Sequence, residues 1–403
     1  MVKSKVSIVK TPPQPDFQGI RKAVHEAISL IGGIDDLVKP GMKALLNPSW
    51  VAPPTEPEKG CITQPEVARA VADIIRDMGA RVIIAESSAV GVDTEKVIEG
   101  SGYRELREKG YEVIDLKKAG KAMIPVPGGK VFQEIESYSL VEEADVIVSL
   151  PKMKTHDQTD ITCSIKKLKG LLSDKYKRMM HQEGLFDGVI DLLSAVKPKL
   201  AVVDGIYCQE GLGPIFGKPV EMDLIIAGKD LVAVDAVCGL IMDFEPEEVL
   251  LTKNAAERGL GTYRLEEIEI LGVPLEEVRR RFLRAEEDSP VKVEGFNLIF
   301  GGVTCTGCRN TVMSALVDMR NADQLMYLPG VTVVTGDPEI PPFVPAEGLV
   351  TVGKCVPEWK RGKLHVKGCP PNNSYVVQAI IGERAKAKRM YAEGDLESTE
   401  KKE

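Results

Sequence analysis

The chain has 403 residues, of which 43% are hydrophobic and 28% are charged, and its formal net charge at pH 7 is −8. This length exceeds one ordinary hydrophobic core, so we expect a globular protein of two or three domains. The acidic balance argues against a general nucleic-acid binder. No uncharged apolar run could span a bilayer, and the first residues lead into a strand-like segment without an apolar signal region. We therefore expect no membrane association and a cytoplasmic location.

Short β-branched runs alternate with amphipathic stretches over most of the chain. The predicted strands, in chain order, are Val6–Val9, Lys43–Leu46, Arg81–Ala85, Asp145–Leu150, Leu200–Val203, Leu224–Ala227 and Ile268–Leu271. The predicted helices are Ile20–Leu30, Pro65–Met78, Gly184–Val196, Leu231–Met242 and Pro246–Arg258. Strand–helix alternation with strands that are apolar on both faces predicts an α/β fold with a doubly wound, mostly parallel sheet.

The charged segment Leu283–Val293 interrupts this alternation and marks the predicted domain boundary. We assign residues 1–285 to the α/β domain, residues 293–383 to a smaller C-terminal domain, and residues 384–403 to a charged, solvated tail. The C-terminal domain has little apolar material for its size. A bound metal would compensate for a small core, because metal binding contributes directly to folding.

Four cysteines in the C-terminal domain are candidate ligands of one metal centre. Cys305 and Cys308 form a CxxC pair, Cys355 follows after 46 intervening residues, and Cys369 follows after another 13. Thiolates select zinc or an iron–sulfur cluster. Structural zinc sites usually pair two close CxxC units, and this domain has one, so the pattern favours a [4Fe–4S] cluster over zinc. Redox-active or simply buried thiols are the remaining interpretations.

A basic segment immediately follows the fourth predicted strand. It contains Lys152, Lys154 and His156, which alternation places on one side if the segment is extended. Lys166 and Lys169 follow and are predicted to open the next helix, whose N-terminal amides also favour an anion. Ligands of open α/β sheets bind beyond the carboxyl ends of strands. We therefore expect a phosphate- or carboxylate-bearing ligand here, with a solvated charged loop as the alternative.

Polar residues also follow other predicted strands. Asn47, Glu86 and Asp204 each stand at a strand end, and Asp235 lies on a largely apolar helix. The glycine-rich loop after Asp204 matches neither a dinucleotide-binding nor a Walker A fingerprint, so neither a dinucleotide nor ATP is indicated. We assign catalytic roles to Lys152, His156 and Asp204, with His156 as the acid/base candidate. We assign ligand-binding roles to Lys152, Lys154, Lys166, Asn47, Glu86 and Asp235.

The stretches Leu150–His156, Ile165–Leu171 and Lys229–Ala236 resemble the family called domain of unknown function 362, over roughly residues 1–260. The Lys-x-Lys-Thr-His element is the most specific part. That family typically has an asparagine where this chain has Lys167. Its members often carry iron–sulfur modules with ferredoxin-like cysteine spacing, from which this chain departs. The resemblance implies a fold and a cluster but no reaction.

Three functions follow from these patterns. The favoured one is an iron–sulfur oxidoreductase of anaerobic redox metabolism, which binds an anionic substrate or cofactor and passes electrons through a [4Fe–4S] cluster to or from a redox partner protein. The second is a non-redox lyase or isomerase whose cluster has an iron without a protein ligand. The third is a zinc-stabilised assembly or scaffold factor. Whether the basic pocket and the cysteines form one site depends on how the domains pack.

Overall fold

The computed structural model describes residues 3–287, 291–302, 304–337, 339, 344 and 346–382. Its strands are β1 Ser4–Lys10, β2 Lys43–Pro48, β3 Arg81–Glu86, β4 Glu112–Asp115, β5 Lys121–Pro125, β6 Glu134–Tyr138, β7 Val146–Leu150, β8 Lys152–His156, β9 Asp160–Thr162, β10 Leu200–Glu210, β11 Lys218–Gly228, β12 Ile268–Gly272, β13 Asn297–Phe300, β14 Thr332–Thr335, β15 Leu349–Val352 and β16 Leu364–Val366. Its helices are α1 Phe17–Leu30, α2 Pro65–Asp77, α3 Thr94–Gly100, α4 Tyr103–Glu108, α5 Ser139–Glu142, α6 Asp174–Glu183, α7 Leu185–Val196, α8 Leu231–Ile241, α9 Leu250–Glu257, α10 Thr306–Asn321 and α11 Asn373–Ile381.

The first twelve strands, apart from the hairpin β5–β6, form one ten-stranded sheet. Its main path runs β12-β1-β11-β10-β7-β2-β3-β4, and β8 branches from β10 to carry β9. Six of its strand pairs are parallel and three are antiparallel. The predicted α/β class with a mostly parallel sheet is therefore confirmed.

Side-chain alternation along the strands divides the interior into two cores. On β2, Leu45 contributes to one core, whereas Ala44 and Leu46 contribute to the other. The first core also contains the apolar faces of α7, α8 and α9, and the second contains those of α1, α2 and α4. Because successive side chains of a strand point to opposite faces, helices cover both faces of this sheet.

A second, four-stranded sheet lies in the C-terminal part of the chain. Its order is β13-β14-β15-β16, and all three pairs are parallel. This sheet has a core separate from those of the large sheet, and Val312 of α10 and Val376 of α11 pack in it. We call residues 3–287 the α/β module and the described residues from 291 to 382 the C-terminal module. The middle of the predicted boundary, 288–290, and the predicted tail, 384–403, lie outside the described residues.

No helix within the described ranges is both long enough and apolar enough to cross a membrane.

Candidate functional site

A cavity of about 240 Å³ lies between the two modules. The α/β module contributes the loop after β3, strand β8, the 3-10 helix Lys166–Leu171 and helix α6, while the C-terminal module contributes parts of α10 and α11. Its lysine, arginine, histidine and carboxylate lining residues are Glu86, Lys154, His156, Asp157, Lys166, Lys167, Lys169, Lys177, Arg178, His181 and Asp318. Lysine and arginine outnumber carboxylates twofold in this list, so the cavity attracts anions. We call it the cationic cavity.

Two lysines of the cationic cavity are held mainly by neutral oxygen atoms. Lys154 Nζ donates to the carbonyls of Cys61 at 2.8 Å and Pro214 at 3.1 Å. Lys177 Nζ donates to the carbonyl of Ser87 at 2.9 Å and to its hydroxyl at 2.7 Å. Burial lowers the pKa of each lysine to about 8, because the charged form is poorly solvated.

Glu86 and Lys167 form a buried ion pair in the cavity wall. Lys167 Nζ lies 3.2 Å from Glu86 Oε2 and 2.6 Å from Asn47 Oδ1. Glu86 also accepts from the amide of Trp50 at 2.5 Å. Burial raises the pKa of Glu86 and lowers that of Lys167 to about 8, while their mutual attraction opposes both shifts. The predicted ligand-binding residue Asn47 thus holds Lys167 in place rather than lining the cavity.

Lys166 differs from its neighbours in lacking a partner. Within the part of the chain that the structure describes, its ammonium nitrogen makes no hydrogen bond and no ion pair, although its side chain lines the cationic cavity. Burial lowers the pKa of Lys166 to about 7, and the positive charges of Lys154 and Lys167 add to this effect against the attraction of Asp157. Lys166 is thus the lysine of this cavity with its nitrogen available to a ligand.

The predicted acid/base residue His156 also reaches the cavity. Its Nδ1 lies 2.9 Å from Asp157 Oδ1 and 2.9 Å from the amide nitrogen of Gln158. Burial lowers the pKa of His156 to about 4, and the positive charge of Lys166 reinforces this shift. The ring is consequently neutral at physiological pH and able to accept a proton.

His181 connects the cationic cavity with the cysteines of the other module. Its Nε2 lies 2.9 Å from the ammonium nitrogen of Lys169. Its backbone carbonyl accepts from the amide of Cys369 at 3.1 Å, and the carbonyl of Cys369 accepts from the amide of Leu185 at 2.6 Å. Burial and the positive charges of Lys169 and Lys166 lower the pKa of His181.

Lys152 and Asp204 lie together, and neither lines the cavity. Lys152 Nζ is 2.6 Å from Asp204 Oδ2, and both side chains are 0% exposed. The same carboxylate oxygen accepts from the amide of Gln64 at 2.7 Å. The catalytic roles assigned to these two residues stay predictions, and the structure adds that their charges are already paired.

Asp235 supports the segment that carries Lys166. Its carboxylate accepts from the amides of Ser164 at 2.7 Å and Ile165 at 3.2 Å. Burial raises its pKa to about 6, and these amide hydrogen bonds oppose the shift. Asp235 therefore acts on the cavity by fixing the backbone just before Lys166.

The four candidate metal-binding cysteines lie near one another in the C-terminal module. Cys305 immediately precedes helix α10. A hydrogen bond from the Cys308 thiol lowers the pKa of Cys305 to about 6, and hydrogen bonds from the amides of Cys308 and Gly307 act in the same direction. Burial of Cys305 opposes this shift. The hydrogen bond to Cys305, burial, and the negative charges of Cys305, Cys369 and Cys355 together raise the pKa of Cys308. Each thiol is thus within electrostatic reach of Cys308.

Gly353 brings the loop of Cys355 against the CxxC pair. A Cβ atom at Gly353, whose φ is +100°, would lie 2.8 Å from Cys308 Sγ. All eight cysteines, including the four of this module, are free thiols. As they stand, no group of three or more His, Cys, Asp or Glu side chains in the described ranges forms a metal-holding arrangement.

Several cavity residues carried no site assignment from the sequence. Lys169 was expected beside the anion site but was given no binding role, and Lys167 belongs to the same basic run as Lys166, which was the available signal. His181 had no local signal, because its role depends on the contact between α6 and the C-terminal module. Asp318 on α10 is of the same kind: it lines the cavity only because the modules pack together.

These features define an α/β protein whose large sheet has helices on both faces and whose cationic cavity lies at the contact with a second module. The family described as Domain of unknown function (DUF362) matches residues 45–239. A thylakoid-associated protein of Synechocystis sp. is 30% identical over 273 residues, which cover 65% of this chain and 80% of that protein. The chain therefore belongs to the DUF362 family, which confirms the resemblance to that family.

Among solved structures, lactate racemase apoprotein from Thermoanaerobacterium thermosaccharolyticum is similar with a TM-score of 0.36 and 14% sequence identity. The match covers 83% of this chain and 69% of that one.

Proposed function

We propose that this protein is an iron–sulfur oxidoreductase of anaerobic redox metabolism. In this proposal the cationic cavity binds an anionic substrate or cofactor, and a [4Fe–4S] cluster bound by Cys305, Cys308, Cys355 and Cys369 exchanges electrons with it. The observation that carries the proposal is the position of His181, which lines the cavity while its carbonyl accepts from the amide of Cys369. A single residue thus connects the two candidate sites.

The chemistry of the four cysteines fits such a cluster. Cys305 has a lowered pKa, and thiolates are the form that binds iron. Amides at the start of α10 already face its sulfur, and hydrogen bonds of this kind tune a cluster. Gly353 leaves room beside Cys308 that a side chain would fill. When bound, the cluster would supply one-electron transfer.

Residues of the α/β module would hold and protonate the ligand. Lys154 and Lys177 add positive charge to the cavity that an anion would enter, Lys166 lines it, and Asp235 fixes the backbone in front of Lys166. His156 is kept neutral by burial, so it can accept a proton from a bound group or return one. The predicted catalytic residues Lys152 and Asp204 would support this site through their ion pair.

Exposure of the cysteines suggests where a redox partner protein would approach. Cys355 is exposed, whereas Cys308 is buried and Cys305 and Cys369 are partly buried. We propose that electrons enter or leave on the side of Cys355. Eight free thiols accord with the reducing cytoplasm that we propose as the location.

The test is anaerobic purification followed by iron and acid-labile sulfide analysis, with electron paramagnetic resonance before and after reduction. We expect about four irons and four sulfides per chain, the content of a [4Fe–4S] cluster. Cys305→Ala and Cys369→Ala should lose the signal, whereas Cys238→Ala, which removes a buried thiol on α8, should retain it. One zinc and no sulfide would overturn the redox proposal and favour the zinc-stabilised scaffold.

A further inference from the structure

We propose that Lys166 is a nucleophilic amine that forms a Schiff base with the carbonyl carbon of a small anionic ligand, and that 2-oxo acids are the ligand class. The inference rests on the proposed function of the cationic cavity as an anion-binding site, and it adds the chemical class of the substrate. It is independent of the metal that the cysteines bind.

Comparison with the other cavity lysines singles out Lys166. The nitrogens of Lys154, Lys167 and Lys177 each donate to protein oxygen atoms, and that of Lys169 lies against the ring of His181. Lys166 alone among these five has no such partner within the described residues. The Lys166 side chain is partly buried and lines the cavity, so its nitrogen is open to whatever the cavity binds. Its nitrogen is therefore free to attack a bound molecule.

The surroundings of Lys166 favour its uncharged form. The titratable groups that act on it or on which it acts are Lys154, Lys167, Lys169, Glu86, Asp157, His156 and His181. Burial and the neighbouring lysines lower the pKa of Lys166 to about 7. A free amine rather than an ammonium is the nucleophile, and a neighbouring cation is a known means of producing one. About half of the Lys166 side chains would thus be reactive at neutral pH.

The reaction balances with one proton taken from solvent. The lone pair of Lys166 Nζ forms a bond to the carbonyl carbon as the C=O π bond breaks, and one proton passes from that nitrogen to the oxygen to give a carbinolamine. Protonation of its hydroxyl and loss of water then leave a protonated imine, so one amine, one carbonyl and one proton yield an iminium and one water. The Asp157 carboxylate attracts positive charge on Lys166 and would equally favour the iminium.

The ligand class follows from the nucleophilic amine of Lys166 and from the positive charge of the cavity lining. The electrophile must be a carbonyl, because an uncharged amine has no special affinity for a phosphate or a simple carboxylate. An adjacent anionic group matches the cationic lining, in which Lys169 lies next to Lys166 along the 3-10 helix. A 2-oxo acid carries both groups on neighbouring carbon atoms.

Reductive trapping tests the proposal. The full-length protein is incubated anaerobically at neutral pH with pyruvate, glyoxylate or 2-oxoglutarate and sodium cyanoborohydride, and labelled lysines are located by peptide mass spectrometry. We expect Lys166 to be labelled roughly a thousandfold faster than the exposed Lys175 of α6, because an ordinary lysine is almost fully protonated at this pH. Lys166→Arg, which keeps the charge, should abolish the cavity label, whereas Lys175→Met should not.

Calorimetric titration with the same 2-oxo acids and with propionate separates the two proposals. Binding to the wild type without faster labelling of Lys166 would refute the Schiff base and leave anion binding intact. Binding of none of these anions, with no label at Lys166, would refute both. Binding that Lys166→Arg retains while losing the label would support both. Circular dichroism of each variant checks that the fold is unchanged.

Discussion

The ammonium nitrogen of Lys152 lies 2.6 Å from the carboxylate of Asp204, and neither side chain is exposed to solvent. The pair joins β8 to β10, whose register sets these two residues opposite each other. The Asp204 carboxylate also holds the amide of Gln64 immediately before α2. One buried ion pair therefore connects three elements.

Breaking this pair should destabilise the protein strongly. Lys152→Met leaves a buried carboxylate without its cation, and we expect a loss of about 3–5 kcal/mol in the free energy of unfolding. Asp204→Leu should cost a similar amount. The double variant should cost clearly less than the sum, because it leaves no unpaired charge. Urea denaturation of the three variants measures this; additive losses would contradict a direct interaction.

Stability should rise with pH between about 7 and 8.5. Lys154, Lys167 and Lys177 have pKa values of about 8 and Lys166 of about 7 in the folded protein, below the ordinary lysine value. In this window the unfolded chain binds more protons, so folding becomes more favourable as pH increases, by up to about 1.4 kcal/mol per pH unit for each lysine.

Above about pH 8.5, the ordinary pKa of cysteine, buried thiols act in the opposite direction. Burial raises the pKa of Cys163 and Cys208, so their deprotonation in the unfolded chain lowers the stability of the fold above pH 8.5.

Lys166→Met should reduce the slope of stability against pH below pH 8.5, and Lys175→Met on the surface should not. Urea unfolding at several pH values is the measurement, and a flat or falling profile from 7 to 8.5 would contradict the lowered lysine pKa values.

Gly170 should be sensitive to the smallest addition of volume. A Cβ atom there would lie 2.2 Å from Glu86 Oε1, and Glu86 is held by Trp50 and Lys167. We expect Gly170→Ala to lose about 1–3 kcal/mol of stability, the usual cost of overpacking. Gly302→Ala is the control, since its Cβ would meet no atom within 4 Å. Equal melting temperatures for the two variants would show that Glu86 can move aside.

Contacts across the modules should protect the cysteine site. Gln158 Nε2 donates to Thr311 Oγ1 at 2.7 Å and to the carbonyl of Pro371 at 3.0 Å. We expect Gln158→Ala to cost about 1–2 kcal/mol, because the buried Thr311 hydroxyl oxygen loses its donor while the Pro371 carbonyl keeps the bond from Thr311. If the proposed cluster is bound, the variant should also lose iron faster in air. The matched control is Gln133→Ala, whose amide bonds only Gly129 in an exposed loop. Identical rates of iron loss would separate the cysteine site from this contact.

Apolar runs made much of the α/β module predictable. The strand prediction Lys43–Leu46 falls within β2, and the helix prediction Pro65–Met78 corresponds to α2 within one residue. Burial on both faces produces a continuous apolar run that needs no tertiary information. The long hairpin β10–β11 was predicted only in part, as the short apolar strands Leu200–Val203 and Leu224–Ala227, because its remaining residues are more polar.

The site was predictable only where a single segment determines it. Lys154 and His156 reach the cavity from the expected strand end, whereas Lys152 is paired with Asp204 and does not line it. The spacing of the lysines does not reveal which of them meets a buried carboxylate. His181 and Asp318 depend on the packing of two separate sheets, which no local pattern encodes.

The cationic cavity takes its walls from two modules that have separate sheets and separate cores. A ligand that touches both walls adds its binding free energy to their association, and thermodynamic reciprocity requires that firmer association tighten the ligand by the same factor. Ligand occupancy of the cavity and association of the two modules would therefore be coupled in one equilibrium. The stability of the contact between the two modules would therefore report ligand affinity without any assay of turnover.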